Sequence, residues 1–184
     1  MAGPFSGGMN RSGIAMGMIN TLKKSLTGEE VDKADNDILD TLKQEHRDVA
    51  EMLEKLVEST SATERKSLLT AIKSALIPHL RAEEKVVYDA VLAMRGKEQQ
   101  IHGEEGYIEH ALGDKMLLQL GKMSNIISPE FSAGAKVLKE LVEHHVEEEE
   151  KNIWSDIKDN FTDDDRVAMN RKFLAAKNRV KVPA

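Results

Sequence analysis

Cysteine is absent from the 184 residues of this sequence. This absence excludes disulfides, thiolate zinc sites, cysteine-ligated iron–sulfur clusters and cysteine nucleophiles. The sequence also lacks a run of 18 apolar residues, the minimum that suggests a membrane-spanning helix, and its first 25 residues hold no apolar run of the signal-peptide type. We therefore expect a cytoplasmic protein without a membrane span.

Aromatic residues make up only 4% of the chain, and there are only four prolines. The long middle of the sequence is instead rich in Leu, Ala, Glu, Lys and Met, which favour helix. The net charge is −6, and every acidic side chain lies between Glu29 and Asp165. Since a net-acidic body repels nucleic acid, we expect no nucleic-acid partner. The composition predicts an all-α protein with one main domain.

Four long helices are predicted from apolar residues that recur at helical spacing. They cover about residues 36–58, 62–94, 108–123 and 129–159, and the third is supported by Ile108, Leu112, Met116 and Leu120. Gly103 and Gly106 weaken the segment before the third helix. Pro78 falls within the second helix, where it either kinks that helix or begins a new one.

The pattern divides the chain into three segments. Residues 1–35 form an N-terminal arm, expected to be flexible, with a possible short helix over Met18–Leu26. Residues 36–160 form a bundle, and the short connections between its helices predict an up-down-up-down arrangement. Residues 161–184 hold a C-terminal helix, with Thr162 as its N-cap, and a basic tail. We expect a monomer.

The motif His-x-x-x-Glu occurs twice, as His79 to Glu83 and as His145 to Glu149. Residues four apart lie on one helix face, so each copy can direct an imidazole and a carboxylate at one point. One further histidine precedes each copy, His46 by 33 residues and His110 by 35. The copies also align at Glu84 with Glu150, Lys85 with Lys151, and Tyr88 with Trp154. This pattern predicts an internal two-fold repeat.

Six polar side chains at equivalent places in a bundle would be too costly to bury without partners or cations. The six are His46, His79, Glu83, His110, His145 and Glu149. Two divalent or trivalent ions solve the problem if the imidazoles are terminal ligands and the two carboxylates bridge the ions. A mixed nitrogen and oxygen site suits iron or manganese, and also zinc. Coordination positions stay open for water, an oxo bridge, dioxygen, nitric oxide or peroxide.

This order of motifs resembles the hemerythrin-like (HHE cation-binding) family over about Asp37–Asp159. The resemblance implies a non-haem centre of two iron ions inside a four-helix bundle. It also implies that the four histidines are terminal ligands and that Glu83 and Glu149 bridge the irons. Ferritin-like proteins differ because they use Glu-x-x-His, and no histidine of this chain has a glutamate three positions before it.

The sequence departs from the oxygen-carrying hemerythrins, which add a histidine one turn from the histidine of the third helix. Gly106 and Asp114 occupy those positions here, and His102, two turns away, is a weaker ligand candidate. The remaining set resembles bacterial di-iron proteins implicated in nitrosative and oxidative stress and in repair of iron–sulfur clusters. Those repair proteins often carry a cysteine pair that this chain lacks.

Several neighbouring residues have two interpretations. His144 adjoins His145 and should point away from the site. Glu84 and Glu150 either orient the imidazoles or form a solvated helix edge. Tyr88 and Trp154 either close the end of the bundle, which we expect, or take part in redox chemistry.

Four functions remain open from the sequence. The first is binding or sensing of dioxygen or nitric oxide, and the second is turnover of peroxide or nitric oxide by an enzyme. The third is storage or donation of iron, and the fourth is a metal-free helical interaction protein. The repeated motif favours the first three, and we expect a protein that acts on dioxygen, nitric oxide or peroxide under stress.

Overall fold

The structure is a computed structural model that describes residues 34–182. This part of the chain is all-helical and contains no strand. The predicted arm up to residue 33, including the possible helix at Met18–Leu26, lies outside the described residues. None of the described helices combines the length and the apolar character needed to cross a membrane.

Five helical rods follow one another along the described chain. The rods are α1 (Ile38–Glu58); α2 (Ala62–Glu83) with the π-helical turn π1 (Glu84–Tyr88) and α3 (Asp89–Ala93); α4 (Lys97–Lys122); α5 (Pro129–Glu148) with the π-helical turn π2 (Glu149–Ile153) and α6 (Trp154–Asn160); and α7 (Asp163–Lys177). Pro78 lies inside the uninterrupted helix α2, so it does not begin a new helix.

The rods begin at side chains that cap helices well. The carboxylate of Asp37 accepts a hydrogen bond from the backbone of Leu39 at the start of α1. Ser61 and Ser128 cap α2 and α5 in the same way. Thr162, the predicted cap of the C-terminal helix, forms a capping box with Asp165. Each cap satisfies backbone N–H groups that the first helical turn leaves without a partner.

The two π-helical turns were not predicted. π1 begins directly after Glu83, and π2 begins at Glu149. A π-helical turn inserts one residue into the hydrogen-bonding ladder, and such turns are frequent at functional sites.

The start of α4 differs from the sequence prediction. The helix begins at Lys97, well before the predicted start near Ile108, and runs through both glycines. A Cβ atom would lie 2.8 Å from the side chain of Leu92 at Gly103 and 2.7 Å from the ring of Tyr88 at Gly106. The glycines are therefore places where α4 packs closely on the second rod, and tertiary contact outweighs their low helix propensity.

The buried face of α4 agrees with the predicted one only in part, because Leu120 is buried and Met116 packs against the core, but the other two predicted residues are exposed. Ile108 and Leu112 are 62% and 43% exposed. The residues that face the interior are Gly103, Gly106, His110, Gly113, Leu117 and Leu120. The prediction followed large apolar residues, whereas small residues and a histidine occupy the inner face at the close contacts.

A layer of buried polar side chains separates two apolar clusters. One cluster surrounds Leu53, Leu76, Leu120 and Leu138, and the other surrounds Leu42, Val87, Ile157 and Phe173. Along α1, for example, Leu53 belongs to the first cluster and Leu42 to the second, and His46 lies between these two leucines. The layer holds the predicted ligands.

Helix α7 packs against one side of this layer. Arg166 donates a hydrogen bond to Asp37 at 2.6 Å, which links α7 to the start of α1. The Phe173 ring lies edge-on to the His79 ring at 5.8 Å, and Lys177 contacts Glu45 at 2.5 Å. The C-terminal helix thus covers the polar layer on the side of α1 and α2.

Candidate metal centre

All six predicted ligands are brought together in the buried polar layer. The most exposed of them is His145, at 6%. His46 comes from α1, His79 and Glu83 from α2, His110 from α4, His145 from α5, and Glu149 from the first position of π2. Each histidine lies on the apolar face of its helix, so the packing of that face carries the imidazole inward.

The ligand atoms fall into two clusters that share Glu83. One consists of His46, His79 and Glu83, and the other of Glu83, His110 and His145; the ligand atoms of each cluster lie within 4.8 Å of one another. Oε2 of Glu83 lies 3.3 Å from Nε2 of His79 and 3.4 Å from Nε2 of His110. A carboxylate shared in this way is placed to contact two cations.

Glu149 also lies between the two clusters. Its Oε2 atom is 3.4 Å from Nε2 of His46 and 3.7 Å from Nε2 of His145. All four carboxylate oxygens of Glu83 and Glu149 are buried and accept no hydrogen bond of good geometry. Leaving a buried acceptor without a partner costs about 1–3 kcal/mol, and more for a charged one. Cations would supply the missing partners, and imidazole nitrogens with carboxylate oxygens suit iron, manganese or zinc.

Each of the four imidazoles is held from outside by a second carboxylate. The Nδ1 atoms lie 3.3 Å from Glu150 for His46, 3.0 Å from Glu45 for His79, 3.1 Å from Glu84 for His110, and 2.8 Å from Glu109 for His145. A carboxylate on Nδ1 turns Nε2 toward the interior and makes the imidazole a better metal ligand.

These outer carboxylates follow the sequence repeat. Glu84 and Glu150 directly follow Glu83 and Glu149, and of their two interpretations the structure favours the orienting one. Glu45 and Glu109 were not predicted as part of the site. The available clue was their position, since each directly precedes a lone histidine in the repeat.

Burial and neighbouring charges shift the pKa values of three of the six candidate ligands. Burial lowers the pKa of His79, but the Glu83 and Glu45 carboxylates outweigh it and raise that pKa to about 9. Burial raises the pKa of Glu83, yet the neighbouring His79 and His110 hold it well below its usual range. At Glu149, burial and the charge of Glu83 both act in the same direction and raise the pKa well above its usual range. Cations would favour the ionised form of both carboxylates.

Tyr88 reaches the layer rather than only closing the bundle end. Its hydroxyl lies 3.0 Å from Nε2 of His110 and 3.4 Å from Nε2 of His145. Burial and the nearby Glu149 carboxylate raise the pKa of Tyr88 well above its usual range. Trp154, its counterpart in the repeat, stacks on the ring of His46 at 6.1 Å.

A small cavity of about 10 Å³ adjoins the second cluster. Its buried lining includes Tyr88, Gly106, His145 and Glu149, and its more exposed lining includes His102, Glu105, Glu148 and Asn152. This volume holds about one water-sized molecule. The cavity therefore has room for a molecule of about that size beside the candidate metal position.

The other candidate histidines lie outside the two clusters. His102 pairs with Asp156 at 2.9 Å near the outer lining of the cavity. The side chain of His144 is 63% exposed, as its place next to His145 predicts. Asp114, at one position where an oxygen carrier would have a histidine, pairs instead with Arg81.

Comparisons with known proteins identify one relative and one family. A DNA nickase of Nostoc sp. is 26% identical over 152 residues, which is 82% of this chain and 42% of that protein. The chain thus spans less than half the length of this relative. No solved structure matches the chain. A family model described as the hemerythrin HHE cation-binding domain matches residues 37–154. The resemblance drawn from the sequence is confirmed, and the chain belongs to the hemerythrin HHE cation-binding domain family.

Proposed function

We propose that this protein holds a non-haem centre of two iron ions and binds or reacts with dioxygen, nitric oxide or peroxide in a response to oxidative or nitrosative stress. The six side chains His46, His79, Glu83, His110, His145 and Glu149 would be the protein ligands. Glu83 and Glu149 would bridge the two ions, and each histidine would offer its Nε2 atom.

One observation carries the proposal above the others: a single carboxylate, Glu83, belongs to both ligand clusters. A site for one ion needs no shared ligand. Two sites joined by Glu83, with Glu149 between them on the opposite rod, make an arrangement for two adjacent ions. Two adjacent reduced iron ions would together supply the two electrons that convert dioxygen to peroxide.

The surroundings support a small ligand. Each cluster offers two imidazoles and the shared Glu83, and Glu149 lies between the clusters, which would leave coordination positions without a protein ligand. The cavity beside Tyr88 and Glu149 is of about 10 Å³, too small for an organic substrate of ordinary size. The outer carboxylates, Glu45 among them, keep the imidazoles in place while such a molecule binds.

Stopped-flow spectroscopy of the iron-loaded, reduced protein tests the proposed reactivity. Mixing with dioxygen, nitric oxide and peroxide in separate experiments should give spectral changes that require both irons. A stable adduct supports binding or sensing, whereas catalytic loss of peroxide or nitric oxide supports an enzyme. Unchanged spectra with all three molecules would contradict the proposal. The variant Glu147→Ala, at an exposed position of α5, serves as a control and should give the same spectral changes as the parent.

Iron storage or donation is the alternative function. The acidic residues in the more exposed lining of the cavity, Glu105 and Glu148, would favour passage of cations. Donation predicts that iron leaves the protein for an acceptor such as an apo iron–sulfur protein within minutes. Retention of both irons in the presence of that acceptor would favour the first function.

The finer architecture is part of the same proposal. We place the four long rods in an up-down-up-down bundle of residues 36–160 with an internal two-fold repeat, and α7 outside it. The matched roles of Glu45 and Glu109, and of Glu84 and Glu150, support the repeat. The cytoplasmic location and the monomeric state remain predictions from the sequence.

DNA nicking, the activity in the name of the Nostoc relative, is not carried over to this chain. The chain spans 42% of that protein, and its own net charge is −6. We expect no nicking of supercoiled plasmid by the metal-free protein, and conversion to open circles would contradict the absence of a nucleic-acid partner.

A further inference from the structure

Tyr88 places an oxygen atom among the ligand atoms of the second cluster. Its hydroxyl is 3.0 Å from Nε2 of His110 and 3.4 Å from Nε2 of His145, and these two nitrogens are 3.2 Å apart. Oε2 of Glu83 lies 3.4 Å from the first nitrogen and 4.0 Å from the second. Donor atoms of one metal ion are spaced at similar distances, because each lies about 2 Å from the ion.

The fold reserves space for this ring. Tyr88 is fully buried in π1, and its ring occupies the position next to Gly106 where any Cβ atom would lie 2.7 Å away. Gly106 is one turn before His110, the position at which an additional ligand could project from α4. The ring of Tyr88 therefore occupies the volume that a side chain at position 106 of α4 would need.

The other half of the repeat offers no such oxygen. Trp154 aligns with Tyr88 in the sequence and stacks on His46 with an angle of 17° between the rings. Its indole N–H is a donor only and cannot bind a cation through a lone pair. The Phe173 ring lies edge-on to the other histidine of that cluster, His79, at 5.8 Å. The two clusters thus have equal histidines and carboxylates but different aromatic neighbours.

We propose that Tyr88 is a phenolate ligand of the iron held by His110 and His145, which makes the two irons of the centre inequivalent. This inference rests on the proposed di-iron function. On coordination the phenol O–H bond breaks, its proton passes to solvent, and the oxygen lone pair forms the bond to iron without a change of oxidation state. Iron accepts tyrosinate as a ligand in other proteins, and the ferric ion favours anionic oxygen donors.

The chain has only two tyrosines, so a phenolate signal can be assigned with few variants. A phenolate bound to ferric iron gives an intense visible charge-transfer band and characteristic ring vibrations in resonance Raman spectra. In this chain such signals can come only from Tyr88 or Tyr107. The hydroxyl of Tyr107 donates to Asp89 at 3.0 Å and lies outside both clusters, so Tyr107→Phe is the matched control.

The experiment compares the oxidised, iron-loaded parent with Tyr88→Phe and Tyr107→Phe by metal analysis, visible spectra and resonance Raman spectra. We expect the phenolate signals in the parent and in Tyr107→Phe, and their complete loss in Tyr88→Phe. Circular dichroism establishes that Tyr88→Phe is folded. Trp154→Phe, the equivalent position of the other half, should keep the signals.

The outcomes separate the two proposals. Two irons without phenolate signals in the parent would overturn the Tyr88 assignment and leave the di-iron function standing. Phenolate signals that persist in Tyr88→Phe would also overturn it. One iron per chain with signals that Tyr88→Phe removes would support Tyr88 as a ligand and overturn the two-iron function. A chain that binds no iron would overturn both.

Discussion

Oε2 of Glu109 lies 2.8 Å from Nδ1 of His145, on a neighbouring helix. Glu109 is one of four carboxylates that hold the outer nitrogens of the predicted ligands. The sequence does not indicate this role, because Glu109 is next to His110 in the chain but contacts His145, whereas His110 contacts Glu84. The relationship shows that the site extends beyond the six residues that the repeated motif identifies.

Glu109→Gln should weaken iron binding without disrupting the fold. The amide keeps the volume of the side chain but no longer supplies the negative charge that orients and activates His145. We expect affinity to fall by about 10–100-fold, the usual effect of losing such a partner. Competition with a coloured chelator measures the affinity. Glu104→Gln, at an exposed position of α4, serves as the control and should have no effect.

The two carboxylates between the clusters should be more sensitive than any outer one. Glu83→Ala removes the ligand common to both clusters, so we expect loss of the two-metal site rather than of one metal alone. Glu149→Ala should have the same effect, because Glu149 contacts a histidine of each cluster. Metal analysis and the visible spectrum report the change. A variant that keeps two irons with an unaltered spectrum would show that its carboxylate is not a bridge.

The adjacent histidines of α5 provide an internal comparison. His145 is buried, whereas the side chain of His144 is 63% exposed and lies 3.6 Å from Glu109. His144→Ala should retain the full iron content, and His145→Ala should lose at least the iron of its own cluster. Elemental analysis of both variants checks this prediction. Loss of iron from His144→Ala alone would reverse the assignment of the pair.

Iron binding should release protons and strengthen as the pH rises. Burial lowers the pKa of His79, but the Glu83 and Glu45 carboxylates raise it to about 9, so its imidazole holds a proton at pH 7 in the absence of a cation. Burial and the charge of Glu83 raise the pKa of Glu149 above its usual range. A cation displaces the proton of His79 and competes with protons on Glu149 and Tyr88, which predicts release of protons on iron binding and weaker binding at lower pH. Calorimetry with ferrous iron under nitrogen, in buffers of different ionisation enthalpy, counts them. Binding with no proton release would contradict the assigned protonation states.

Glu149→Leu should stabilise the metal-free chain while abolishing the site. The substitution removes a buried carboxyl group that accepts no good hydrogen bond, so we expect a gain of about 1–3 kcal/mol in the free energy of unfolding. With iron at a free concentration about 1,000 times Kd, the order should reverse, because binding then adds about 4.1 kcal/mol to the free energy of unfolding of the parent. Urea denaturation measures both values.

The control for this comparison is Glu147→Leu, at an exposed position of the same helix. It should change the free energy of unfolding by no more than about 0.5 kcal/mol, with or without iron. A metal-free Glu149→Leu chain that is less stable than the parent would show that the carboxyl group is satisfied in the absence of a cation.

Sequence periodicity predicted the parts of the fold that depend on local spacing. His46 was placed on the apolar face of its helix by Leu42 and Val49, and it is buried there. Thr162 was identified as a cap because a hydroxyl precedes three acidic residues, and it forms that cap. These features depend on neighbours within one turn, which the sequence displays directly.

Features that depend on contacts between helices were missed or misplaced. Gly103 and Gly106 weaken an isolated helix, and only their contacts with Leu92 and Tyr88 explain why α4 begins before them. The two π-helical turns were not predicted from the spacing of apolar residues along the sequence. The hydroxyl of Tyr88 reaches histidines of two other helices, which its alignment with Trp154 does not indicate.

The central claim is that two iron ions occupy this layer, and metal content per chain tests it most directly. Elemental analysis after iron-replete expression, with a visible spectrum of the air-exposed protein, should give about two irons and absorption from bridged ferric ions in the near ultraviolet. A single zinc ion, or no metal at all, would contradict the account and leave the six side chains without the role assigned to them.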